Sequence, residues 1–120
     1  SIWVALASAQ RRGPASELLI QAEQLQKSAG DSAAVEFLWK SPEKLQRPEL
    51  MFMAKTLVKL KNFKDILKVS ELALSKNPKD AEFLTFQGKA YLETQKDRKK
   101  LEKAQESLRE AIEVNPKFEP

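Results

Sequence analysis

Apolar residues recur along the chain at helical rather than alternating spacing, and prolines and glycines cut the pattern into segments. Ile2–Arg12 is a first segment, ended by Gly13-Pro14. Pro14 suits the start of a second helix through about Ala29, with Leu18, Ala22, Leu25 and Ala29 on one stripe. Gly30-Asp31 stops that helix and starts a third, which runs to about Lys40 before Ser41-Pro42. Pro48 opens a fourth, with Leu50, Met53, Ala54 and Leu57 facing inward. Asn62 marks the next break, after which Ile66, Val69, Ala73 and Leu74 carry a fifth helix to Asn77-Pro78. Asp80 caps a sixth, reaching about Thr94, and a seventh runs from about Asp97 to Val114 before Asn115-Pro116. The pattern predicts an all-α chain of about seven helices joined by short connections.

Composition agrees. Ala, Leu, Glu, Lys and Arg make up about half of the 120 residues, whereas Val, Ile and Thr are few. The chain holds no Cys and no His, which removes disulfides, thiolate or imidazole metal sites, Cys nucleophiles and His-dependent triads. Its three glycines are scattered, so no phosphate-cradling loop is present. Carboxylates such as Glu102, Glu106, Glu110 and Glu113 follow helix-surface spacing with Lys and Arg nearby, a solvated face rather than an acid–base pair. The expectation is a protein that is not an enzyme and uses no cofactor and no metal.

The net charge of +4 lies entirely after residue 46 and is modest for its length. It suits solubility and acidic partners. The absence of Cys fits a cytoplasmic location. Ile2–Ala9 is apolar and has Ala at positions 5, 7 and 9, but no basic segment precedes it and it is too short to span a bilayer. No membrane segment is expected here. Because the sequence starts at Ser1 and stops directly after a repeat-like ending, it reads as a piece of a larger protein.

Comparison of the breaks exposes an internal repeat. Helices end in Lys40-Ser41-Pro42, Lys76-Asn77-Pro78 and Val114-Asn115-Pro116, with prolines 36 and then 38 residues apart. Ala73 and Ala111 each lie five before the closing proline. Two helices per period in the mid-thirties point to a helical solenoid, in which stacked neighbours bury what one pair cannot.

In these features the chain resembles the tetratricopeptide repeat (TPR) family. Residues 47–80 resemble one complete unit, with Leu50, Met53, Ala54 and Leu57 in the first helix and Ile66, Ser70, Ala73 and Pro78 in the second. Residues 81–118 resemble another, with Leu84, Gly88, Tyr91, Ala104, Leu108, Ala111 and Pro116, and four extra residues within the charged stretch Gln95–Lys103, where a loop or lengthened helix end is expected. Gln87 sits where the family has an apolar residue, and Phe86 stands beside it. Residues 15–46 match as a degenerate repeat, and 1–14 do not match. The resemblance implies one helical-repeat domain over 1–120, a right-handed superhelical stack of antiparallel helix pairs. Gly88 then marks a close crossing, because Gly inside a helix costs about 0.5–1 kcal/mol and needs a reason to be there. Overpacking by Gly88→Leu would cost about 1–3 kcal/mol at such a crossing.

The family's concave surface, carried over position by position, implies partner contacts at Met51, Lys55, Val58 and Lys59 in one unit and at Glu82, Thr85, Lys89, Leu92 and Glu93 in the next. Stacking would bring Lys55 and Lys89 onto neighbouring turns of one groove and favour an acidic protein or peptide partner. The plainer reading of both is a solvated helix lysine. The family's grip on the C-terminal carboxylate of heat-shock chaperones needs Lys, Asn and Arg where this chain has Met51, Lys55 and Phe86, which argues against that ligand. Two basic clusters, Lys55–Lys68 and Lys96–Lys103, raise nucleic acid as a further partner. Lys dominates both, with few aromatics nearby, which sets this below protein binding. Trp3, Phe37 and Trp39 read as core, and Trp39, if exposed, as a contact with a neighbouring domain. The alternative function is self-association, a homo-oligomer formed through exposed repeat ends.

Overall fold

Most of the helices begin where a side chain accepts from a backbone N–H. The structure is a computed structural model that describes residues 16–114. Five α-helices and a short 3₁₀ turn at Pro42–Lys44 account for nearly all of these: α1 Glu17–Ala29, α2 Asp31–Trp39, α3 Arg47–Lys59, α4 Phe63–Lys76 and α5 Ala81–Val114. Among the described residues there is no strand, and no helix is long and apolar enough to cross a membrane. The expected first segment, Trp3 and the Asn115-Pro116 ending lie outside the described residues.

Ser16 Oγ accepts from Leu19 N–H at 2.9 Å to start α1. Gly30, at φ 96°, turns the chain into α2. That left-handed conformation is one that glycine adopts without strain. Glu49 reaches back to accept from Gln46 N–H at 3.1 Å and fastens the start of α3, where Pro48 occupies the first turn. Lys61, at φ 55°, reverses the chain, and Asn62 Oδ1 then accepts from Asp65 N–H at 3.1 Å to start α4.

The core follows from these boundaries. On α3, Leu50, Met53, Ala54 and Leu57 are buried, and α4 answers with Ile66, Val69, Ser70 and Ala73. Each large side chain here contributes about 1.5–3 kcal/mol by leaving water. The small residues Ala54, Ser70 and Ala73 are fully or almost fully covered. Ala22 of α1 and Ala34, Val35 and Leu38 of α2 extend this cluster on one side, and Phe83 and Ala90 of α5 on the other. Phe37 and Trp39 are partly buried against it.

The structure corrects the helix count. The expected sixth and seventh helices are one, because α5 runs for 34 residues without a break between Thr94 and Asp97. The reason is local: Gln95–Ala104 contains neither Gly nor Pro, and most of its residues are strong helix formers. A consequence is that Gly88 and Ala111 sit on a single helix, roughly 35 Å apart along its axis. The inward register expected for 81–94 is also corrected. Phe83 and Ala90 are buried, whereas Leu84, Gly88 and Tyr91 face outward, and a Cβ at Gly88 would meet nothing within 4 Å. The expected clash of Gly88→Leu therefore has no neighbour to clash with. Ala29, placed on the inner stripe of α1, is exposed as well.

Two substitutions distinguish a covered crossing from an open one. Ala54→Leu overpacks the α3–α4 contact and is expected to lower stability by about 1–3 kcal/mol. Gly88→Ala relieves a helix-interior glycine in open space and is expected to raise stability by about 0.5–1 kcal/mol. Urea midpoints measure both, and a lower midpoint for Gly88→Ala would mean that another helix does pass over this site.

Candidate functional site

A groove of about 620 Å³ opens where the end of α3 and the start of α4 meet the N-terminal half of α5. Phe63 and Ile66 come from α4, Val58 from α3, and Phe86, Ala90 and Leu92 from α5. The tight reversal at Lys61-Asn62 makes the groove, because it brings Val58 and Phe63, five apart in sequence, to one wall. Polar groups stand among these apolar ones: Glu82, Thr85, Lys89, Glu93 and Lys96. Glu93 and Lys96 pair with each other at 3.2 Å on successive turns of α5.

Of the nine candidate contacts read from the sequence, Val58, Glu82, Thr85, Lys89, Leu92 and Glu93 line this groove. Met51, Lys55 and Lys59 do not; Met51 is half-buried against the core and the two lysines are exposed elsewhere on α3. The groove thus takes Lys89 together with Lys96, and the expected partnership of Lys89 with Lys55 is not part of its lining. Phe63, Ile66, Phe86, Ala90 and Lys96 escaped the sequence reading. They lie on second-helix or inward positions, and only the angle between α4 and α5 turns their edges toward the opening.

One end of the groove is tied to the rest of the fold. Arg47, in the first turn of α3, donates from Nε to Asp80 Oδ2 at 2.8 Å and from Nη2 to Asp80 Oδ1 at 3.3 Å. The same Nη2 donates to Glu82 Oε1 at 2.8 Å. The guanidinium lies 5.7 Å from the centre of the Phe83 ring, which in turn meets Phe86 at 5.8 Å in a tilted pair. Asp80 also accepts from Phe83 N–H at 3.4 Å and so caps α5. The clamp thereby ties the start of α5 to the first turn of α3. Lys76 Nζ donates to Leu45 O and holds the same end from the other side. Arg47 and Asp80 stand 33 residues apart, near the repeat period, a signal that could have marked them as neighbours but was not read so.

Hydrogen bonds from Arg47 hold the Asp80 carboxyl below the usual carboxylate range, and Asp80 and Glu82 raise the Arg47 guanidinium above its ordinary value. Among the described residues no cluster of acidic side chains is arranged to hold a metal ion. Compared with protein-family models, curated proteins and solved structures, the chain finds no match.

The depressed Asp80 sets a pH dependence. Its carboxylate stabilises the fold above the unfolded value of about 3.9, and the contribution is lost as pH falls through the lower folded value. The stability difference between the wild type and Arg47→Met is therefore expected to be constant near neutrality and to shrink below about pH 4. Denaturant titrations at successive pH values measure it, with Asp80→Asn as the control that removes the share carried by Asp80. A difference that persists unchanged in acid would mean that the clamp is not coupled to Asp80 ionisation.

Proposed function

We propose that this chain is a non-catalytic protein-binding module, a helical repeat of the TPR type that takes a peptide or partner protein into the groove between α3, α4 and α5. The observation that carries the reading is the make-up of the groove: a floor of Val58, Phe63, Ile66, Phe86 and Leu92 with Lys89, Lys96, Glu82 and Glu93 standing among them. An apolar floor supplies affinity by excluding water, and a few charged groups at the edge supply orientation and specificity. Val58 and Leu92 are about half or more exposed, so a partner that covers them gains apolar burial now open to water.

The hairpin of residues 47–80 supports the repeat reading, since its Leu50, Ala54 and Leu57 are covered by a helix carrying Ile66, Ser70 and Ala73, in the register of the family pattern. Under this reading residues 81–114 extend the array, and their outward Leu84 and Tyr91 are the face on which a further helix stacks. A cytoplasmic location, suggested by the absence of cysteine, belongs to the same reading.

Val58→Asp and Leu92→Asp each place a charge on the groove floor while leaving the core residues untouched. Each is expected to weaken a groove-bound partner at least about tenfold, the loss typical of a central interface contact. Affinity purification with wild type and the two variants, followed by titration of the species that the variants lose, tests this. Identical recovery of every captured protein by all three chains would rule the groove out as the binding surface.

A further inference from the structure

Among the charges that line the groove, one has no counter-charge. Glu82 is held by Arg47 Nη2 at 2.8 Å, and Glu93 by Lys96 at 3.2 Å. Lys89 forms no ion pair among the described residues. Glu82 and Lys96 lie equally far along α5 on either side of it and on the same face, so Lys89 stands at the middle of the opening. The surface around it is apolar and open to water: Leu92, on the next turn, is 62% exposed and Val58 46%. A partner that covers this floor covers Lys89 as well. Covering an ammonium group without a counter-charge costs free energy, so a fitting partner brings a carboxylate to it.

The walls also decide the backbone of the occupant. All three are α-helices, whose main-chain groups bond within themselves. Among the described residues no sheet edge is present to pair with an extended segment. The described lining contains no Asn or Gln, and Thr85 spends its hydroxyl hydrogen on Ala81 O at 2.9 Å. An extended segment laid on this floor would lose water from N–H and C=O groups that nothing here replaces. An α-helix arrives with those groups already bonded. We infer, on the reading that the groove is the binding surface, that its occupant is an amphipathic α-helix of a partner protein. Its apolar residues recur at three- and four-residue spacing on the floor, and an Asp or Glu near its middle meets Lys89. The lined stretch of α5, from Glu82 to Lys96, is roughly 21 Å long, which matches a helix of about 14 residues. A helix that short is marginal alone in water, so it folds as it binds.

Selection of displayed random peptides of about 16 residues on the whole chain, with Val58→Asp as the counter-selecting chain, tests the helix and its anchor. Expected are sequences without Pro that carry Leu, Ile, Met or Phe at helical spacing around an Asp or Glu. Difference circular dichroism of a selected peptide is expected to gain helical signal on binding. Lys89→Glu is expected to weaken that peptide at least about tenfold, and a peptide with Lys in place of its acidic residue to recover the affinity for this variant. Val58 and Lys89 are both exposed, so the urea midpoint of each variant reports that the fold is intact. Selected peptides that contain Pro, alternate apolar with polar residues, or bind Lys89→Glu unchanged would overturn the inference and leave the groove as the binding surface. The absence of any selection that Val58→Asp removes would take away the groove and the inference together. A chain that doubles its mass in sedimentation, where Val58→Asp stays single, would give the groove to a second copy and overturn the inference as well.

Discussion

The contact between α3 and α4 is the constraint on which the other elements depend. α3 packs against α1, α2 and α4, and α5 is in turn placed on α4. The contact depends on size. Ala54, Ser70 and Ala73 are covered between larger neighbours, and only small side chains let Leu50, Leu57, Ile66 and Val69 interlock around them. Even Glu49, 2% exposed, is accommodated, because its carboxylate is spent on the backbone N–H of Gln46 at the helix start. Ser70 is the cost of this fit: its hydroxyl is buried without a hydrogen-bond partner among the described residues.

From this hairpin the groove follows by two linked decisions. The reversal through Lys61, in a left-handed conformation, sets Val58 beside Phe63. Packing of Phe83 and Ala90 then lays α5 on the hairpin, and the Arg47–Asp80–Glu82 clamp ties its start to α3. Arg47 is about half exposed, so solvent screens its bridges and their energetic share is small. Their value is directional, since a bidentate contact that also caps a helix permits few angles. Glu82 belongs to both the clamp and the groove lining, which couples the mouth of the groove to the position of α3.

The last helix shows propensity prevailing over pattern. The mid-thirties period argued for two helices between 81 and 114, and the offsets remain visible: Leu84, Gly88 and Tyr91 repeat Leu50, Ala54 and Leu57 at a distance of 34. In the first unit those positions are buried, and in the second they are open. The difference lies in the connection. Leu60-Lys61-Asn62 reverses the chain within a few residues, whereas Gln95–Lys103 offers a run of helix formers with no Gly or Pro to break it. With nothing local to stop it, the helix continues, and its apolar face is left for another surface to cover.

Sequence alone determined the elements that carry their own punctuation. The boundaries at Gly30, Pro42, Asn62 and Asn77 were legible because each rests on a backbone preference or a capping side chain within a few residues. The buried stripe of α3 and the all-α class were legible for the same local reason, through spacing of 3.6, whereas Glu82, Thr85, Lys89, Leu92 and Glu93 of the groove were reached through the family resemblance. What only the tertiary structure decided were relations between distant segments: that α5 turns Phe83 rather than Leu84 inward, that Lys96 rather than Lys55 joins Lys89, and that Arg47 anchors Asp80. Which face of a helix is buried is settled by the surface it lies on. One residue's shift rotates that face by about 100° at no local cost, so the pattern of a single helix leaves the choice open.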